Sequence, residues 1–215
     1  MDRTRQDDEE RATALPVRYD ELAPAAPEGG LDLAEAYPQE AEIELEIGFG
    51  RGLFLIERAA AAPDHQLVGI EIKRKWAYRV EQRCKRLELS QVRVFGGDMR
   101  TVLPEMRPAG RIARVFLNFP DPWWKKRHAK RRLMGEDVLE QVARLLRLGG
   151  EFFIQTDVEE RAAEYARQLA DHPAFELEGD GSLDHNPYGA RSNREKRAIE
   201  DGLPIYRILA RRAAG

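Results

Sequence analysis

The sequence predicts an α/β fold: a mostly parallel, seven-stranded sheet with helices on both faces, closed by a C-terminal antiparallel strand pair. Three observations predict it. Apolar runs of strand length alternate with segments of helical period through most of the chain; glycines and acids stand where the first runs end; and 215 residues with 42% hydrophobic content suffice for one core and little more.

The first strand is expected at 43–47, followed by a helix over 53–62, and the second at 67–70, followed by a helix over 76–87. That second helix groups Trp76, Val80, Cys84 and Leu87 on one face and its cations elsewhere, the pattern of a core-facing stripe. Strands follow at 92–95 and 112–119, then an amphipathic helix around Val138, Leu139, Val142, Leu145 and Leu146, with Gly149 and Gly150 read as its cap. A strand at 152–156, a helix over 162–169 and a closing strand pair at 175–177 and 205–210 complete the order. Residues 1–40, rich in Ala, Pro and acids without steady period, read as a flexible acidic extension, which leaves 41–215 as the folded domain.

Composition narrows the class. No run approaches the ~18 apolar residues of a membrane span, and the single cysteine, Cys84, allows no internal disulfide and is assigned to packing. The N-terminus carries acids where a signal peptide needs an apolar core, so the expected compartment is the cytoplasm. The four histidines are scattered, and no metal site is expected. The net charge of −3 divides unevenly: residues 1–44 carry 13 acids and 4 bases, and the remainder 25 acids and 31 bases. The densest cationic stretch, KKRHAKRR at 125–132, directly follows Trp123 and Trp124 and suits a polyanion better than an empty solvated face.

In an open parallel sheet, ligands bind beyond the carboxyl ends of the strands. The first such end reads Glu46, Ile47, Gly48, Phe49, Gly50, Arg51, Gly52, an E-x-G-x-G-x-G turn. Leu53 stands where a dinucleotide fingerprint would have its third glycine, which argues against a pyrophosphate-bearing cofactor. S-adenosylmethionine fits instead, because its ribose, adenine and amino-acid end need a tight turn and carboxylates. Glu71 closes the second strand, where an acid can accept ribose hydroxyls, and Asp98 follows the third, within reach of an adenine amine. The fourth strand end, LNFPDPWWKKRH from Leu117, brackets Asp121 with prolines and sets two indoles beside it. Two other classes fit less well: a non-catalytic RNA-binding module retaining the fold, opposed by the intact glycines and acids, and a nicotinamide-dependent oxidoreductase, opposed by Leu53.

These residues resemble the bacterial tRNA (guanine-N7-)-methyltransferase family, whose members carry E-I-G-F-G after the first strand and F-P-D-P-W-x-K-K-R-H after the fourth. The likeness runs on through Gln155, Thr156 and Asp157 and through Ser192 to Glu195, covering about residues 42–210. It implies a single-domain class I methyltransferase (Rossmann-like) fold that methylates N7 of a variable-loop guanine in tRNA. It further implies that Glu46, Glu71, Asp98 and Asp121 hold the cofactor, with Asp121 also catalytic. Lys125, Asp157, Ser192, Asn193, Arg194 and Glu195 would then meet the substrate. Trp124 stands where the common pattern has proline, and Ser192, Asn193 and Arg194 replace a threonine and an aromatic-containing pair. Monomer and homodimer are both open at this point, as is whether Asp121 or Glu195 reads the guanine edge.

Overall fold

A computed structural model describes residues 18–120 and 135–214. Two short helices, α1 (Tyr19–Leu22) and α2 (Leu33–Ala36), precede β1 (Ile43–Ile47), α3 (Leu53–Ala61), β2 (Gln66–Glu71), α4 (Arg74–Arg86) and β3 (Val92–Gly96). Then come α5 (Met99–Glu105), β4 (Ile112–Asn118), α6 (Glu136–Leu145), β5 (Leu146–Thr156), α7 (Glu159–Asp171), β6 (Phe175–Ser182), α8 (Asn193–Glu200) and β7 (Tyr206–Arg212). The sheet order is β3-β2-β1-β4-β5-β7-β6, with β7 antiparallel to both neighbours and every other pairing parallel. The order reverses between β1 and β4, which opens a crevice at their carboxyl ends.

Strand alternation sorts the core onto the two faces. Ile43, Leu45 and Ile47 face α5, α6 and α7, burying Val102, Leu103, Val142 and Leu169 with them. The opposite face packs Leu55 and Ala59 of α3 and Ala77, Val80 and Cys84 of α4 over Leu67, Val92 and Val94. Beside these, Phe54, Phe116, Phe153 and Tyr188 form an aromatic cluster, with Tyr188 edge-on to both Phe116 and Phe153.

Three expectations need correction. Leu87 is not part of the buried stripe of α4: the helix ends at Arg86, Leu87 is its cap and is 49% exposed, and Ala77 joins Val80 and Cys84 instead. Gly149 and Gly150 are no helix cap. The helix ends at Leu145, and the glycines lie inside β5, where the register slips between Ile112 and Arg114; Gly149 has φ +71° and a Cβ on Gly150 would sit 2.8 Å from the Arg147 carbonyl. They form a bulge that needs two residues without side chains. The extension expected over 1–40 is anchored in its described part: Leu31, Leu33 and Tyr37 are buried in the core, and Ala25 and Asp32 bridge to Gly96 and Arg107. Spaced apolar anchors, with only two single-turn helices, fix this segment.

Candidate functional site

The crevice at the reversal point holds a cavity of about 650 Å³, walled by the ends of β1, β2 and β4, the turns after β1 and β3, and the start of α8. Five of the residues expected at the cofactor, Glu46, Gly48, Gly50, Glu71 and Asp98, line it. The wall also contains Ser192, Asn193 and Arg194, which are distant in sequence.

The turn after β1 is built to present backbone to this space. Gly48, Gly50 and Gly52 all have positive φ, and a Cβ on Gly48 or Gly50 would meet nothing within 4 Å. Gly52, also expected at the cofactor, does not line the cavity, and a Cβ there would lie 2.6 Å from both methyl groups of Val80. Its missing side chain lets α3 dock against α4. The Glu71 carboxylate braces the turn, Oε2 accepting from the Gly50 amide at 2.8 Å and Oε1 from the Lys73 amide at 2.9 Å. Asp98 caps α5, accepting from the Arg100 amide at 3.0 Å.

Glu44 and Glu46 share one face of β1 and are both buried, yet their surroundings push them apart. Burial raises the Glu44 carboxyl, but Arg58, at 2.7 Å to each carboxylate oxygen, and His65, at 2.8 Å, overcome it and hold Glu44 below its ordinary value. Glu46 has no cation beside it among the described residues. Burial pushes it up to about 8; the Asn118 amide, donating to Oε1 at 2.8 Å, offsets part of that rise and the Glu71 carboxylate adds to it. Its other oxygen, Oε2, is buried without a partner among the described residues. A buried carboxylate oxygen of that kind is costly unless something donates to it.

Glu46 is the first link of a buried polar chain. Asn118 at the end of β4 donates to Glu46 and accepts from the Gln155 amide of β5 at 2.8 Å. The same Gln155 nitrogen donates to Glu195 Oε2 at 2.9 Å. Glu195 also accepts from Asn186 and, through Oε1, from Arg207 at 3.2 Å. It is 1% exposed, so in this arrangement its oxygens serve the scaffold. Ser192 caps α8 by accepting from the Glu195 amide at 3.1 Å, and Arg194 pairs with Asp157, which does not itself line the cavity. At the opposite wall, Phe119 holds φ +49°, an unusual conformation for a side-chain-bearing residue, and its amide is tied to the Gln155 carbonyl at 2.7 Å. Asp121, Lys125 and the tryptophans at 123 and 124 lie outside the described residues; Pro120, the last described residue before them, lines the cavity.

Sequence reasoning missed three contributors. Trp76, read as core, is half-buried and lines the cavity, and Lys73 lines it beside Glu71. Asn118 was legible only as a polar residue ending an apolar strand, a signal that did not tell it from a turn residue.

Residues 40–208 match a family model described as "Putative methyltransferase". The chain is 36% identical over 170 residues to the tRNA (guanine-N(7)-)-methyltransferase of Synechococcus sp. (strain JA-3-3Ab), covering 79% of this chain and 72% of that protein. It is 32% identical to the protein of the same name from Nostoc sp. (strain PCC 7120 / SAG 25.82 / UTEX 2576), covering 93% of this chain and 92% of the other. The chain belongs to the tRNA (guanine-N7-)-methyltransferase family. A solved structure, the antibiotic-resistance methyltransferase Kmr, is similar with a TM-score of 0.58 at 19% identity, covering 85% of this chain and 92% of that one. The sheet order and this likeness give the methyltransferase family member its fold, that of the class I methyltransferases. Its cavity lies where that fold's strand order reverses, and three sequence-distant walls, from β1, β2 and α8, converge on it.

Proposed function

We infer that this enzyme transfers a methyl group from S-adenosylmethionine to N7 of a guanine in tRNA, in the variable loop as the family resemblance implies. The observation that carries the reading is the Glu46 carboxylate, buried on the cavity wall with Oε2 unpartnered among the described residues, in a chain of this family. The cavity residues fit the cofactor. An unpaired carboxylate suits its ammonium group, Glu71 and Asp98 each keep acceptor capacity beyond their backbone bonds, and Gly48 and Gly50 leave the turn bare.

The cofactor supplies an electrophilic methyl group on a sulfonium. Guanine N7 carries an in-plane lone pair, so it would accept that methyl group without first losing a proton, the sulfonium leaving as a neutral thioether and the positive charge passing to the purine. The protein therefore needs no strong base. Its work is alignment and a fixed negative potential, which we assign to Asp121, directly following the cavity-lining Pro120. Lys125 and its basic neighbours would hold the tRNA backbone. Ser192, Asn193 and Arg194 face the cavity from α8 and would meet the nucleotide, with Asp157 orienting Arg194. Glu195, buried and saturated by Gln155, Asn186 and Arg207, would set the position of that turn, leaving guanine-edge recognition to Asp121. The tRNA substrate points to a cytoplasmic enzyme.

Incubating the protein with labelled cofactor and unmodified tRNA, then mapping the labelled nucleotide, tests the reading. Label at a single guanine, released as 7-methylguanine, is expected. Binding of tRNA without label transfer would favour the non-catalytic module instead.

A further inference from the structure

The outer face of α4 carries a feature that the cofactor site does not use. Arg79, Arg83 and Arg86 stand at helical spacings of four and three, all exposed, along a shallow groove of about 490 Å³. Several arginines among the described residues are neutralised: Arg58, Arg114, Arg147, Arg207 and Arg211 each reach a carboxylate. The three on α4 reach none among the described residues, and the helix's one acid, Glu81, is taken by Lys85 at 2.9 Å. Stability alone gives no reason to line up like charges in this way, since cations four apart on a helix repel.

The groove adjoins the cofactor cavity. Trp76 and Arg51 line both, and Arg51 and Arg79 each stack over the Trp76 ring at 5.4 Å. A polyanion held by the three arginines would therefore lead to the cavity mouth. From Arg79 to Arg86 the helix advances ~10 Å, about three nucleotide steps of a stacked strand at ~3.4 Å each. Arginine also suits phosphate better than lysine does, because its planar fork donates two parallel hydrogen bonds.

We propose that the Arg79, Arg83 and Arg86 stripe on α4 is a tRNA contact additional to the basic sequence at 125–132, tracking the phosphate backbone of the substrate beside the cofactor cavity. The proposal rests on tRNA being the substrate. The groove fits RNA because it combines guanidinium groups that reach no carboxylate among the described residues with an aromatic, Trp76, that it shares with the cofactor cavity.

The test is the triple variant Arg79→Ala, Arg83→Ala, Arg86→Ala in the full chain, none of which lines the cofactor cavity. Binding to unmodified tRNA is measured over a salt series, together with calorimetric binding of the cofactor. Loss of three phosphate contacts should lower the slope of log K against log salt by about two to three units and weaken tRNA about 10- to 100-fold near physiological salt. Cofactor affinity should stay at the parental value, which also reports that the variant is folded. A control variant removing the ion-paired Arg147, Arg167 and Arg211 changes net charge equally and should retain most of the parental slope. Parallel salt lines for the triple variant and the parent overturn the proposal, as does an equal loss in the control, and as does a loss confined to vesicles of anionic lipid with tRNA binding intact. A parent that binds no tRNA removes the substrate reading itself, and a parent that binds but does not methylate removes the activity while leaving the contact testable by the same slopes.

Discussion

Replacing Glu46 by glutamine should stabilise the ligand-free enzyme while weakening its grip on the cofactor. Burial lifts the folded-state carboxyl to about 8, against 4.5 for the free group. Because the folded value is the higher one, the fold favours the protonated form; the associated stability is complete below pH ~4.5 and is lost as pH rises, by ~1.4 kcal/mol per unit up to ~8. At pH 7 the parent has then lost roughly 3 kcal/mol relative to pH 4. The introduced amide would mimic the protonated acid: its carbonyl still accepts from Asn118, and nothing remains to ionise. Urea unfolding of ligand-free protein should thus show the Glu46→Gln variant ahead of the parent by up to about 3 kcal/mol at pH 7 and by under about 1 kcal/mol at pH 5. Cofactor binding should move the other way, weakening about 10- to 100-fold with the loss of a charged hydrogen bond. Parental affinity should rise between pH 6 and 8 as Glu46 ionises, whereas the variant's should stay flat. A variant with parental stability at every pH and an unaltered pH profile for the cofactor would refute the assignment of Glu46 as the buried, unpaired acid.

Other substitutions probe separate parts of the site. Glu71→Ala removes the acceptor for the Gly50 and Lys73 amides as well as an acid facing the cavity, and calorimetry should find cofactor affinity reduced by roughly 1.5 to 3 kcal/mol; unchanged affinity would exclude Glu71 from the site. Gly52→Ala places a methyl group 2.6 Å from Val80 at φ +71°, so denaturation should show a loss of about 1 to 3 kcal/mol. Part of it should return when Val80→Ala is added, and full additivity would mean that α3 and α4 do not meet there. Asp121→Asn should lower the single-turnover methylation rate by about 10² to 10³ with little change in tRNA affinity. A folded Asp121→Asn variant working at the parental rate would dismiss Asp121 from the chemistry.

The seven strands were legible as short segments rich in apolar or β-branched residues, and their order follows from the fold class. What escaped detection was short or non-periodic. Helix α5 has seven residues, includes Pro104 and buries only Met99, Val102 and Leu103, too few for a helical period to emerge. Helix α8, NREKRAIE, buries Glu195 and Ala198, so its packed face is half acidic and looks like solvent-facing sequence. The alternation of Ile43, Glu44, Leu45, Glu46 and Ile47 suggests a strand with one wet face, whereas both faces are buried and each acid has its own solution. The acids and glycines lining the cavity were readable because turn and strand-end chemistry is local. The chain from Glu46 to Glu195 was not, because its Asn118–Gln155 and Gln155–Glu195 links join residues 37 and 40 positions apart.

With Glu46 ionised, that chain has acceptors at both ends, and this gives it only one order. Asn118 must turn its nitrogen toward Glu46 and its oxygen toward Gln155, whose single nitrogen then serves Asn118 and Glu195 together. Turning either amide over would set oxygen against oxygen in a buried, weakly screening space. The chain thus behaves like a keyed linkage with chemical polarity. Hydrolysis of either amide to its acid, a change of one atom that ageing proteins undergo, would convert a donor into an acceptor and uncouple the cofactor wall from α8 with hardly any change in shape.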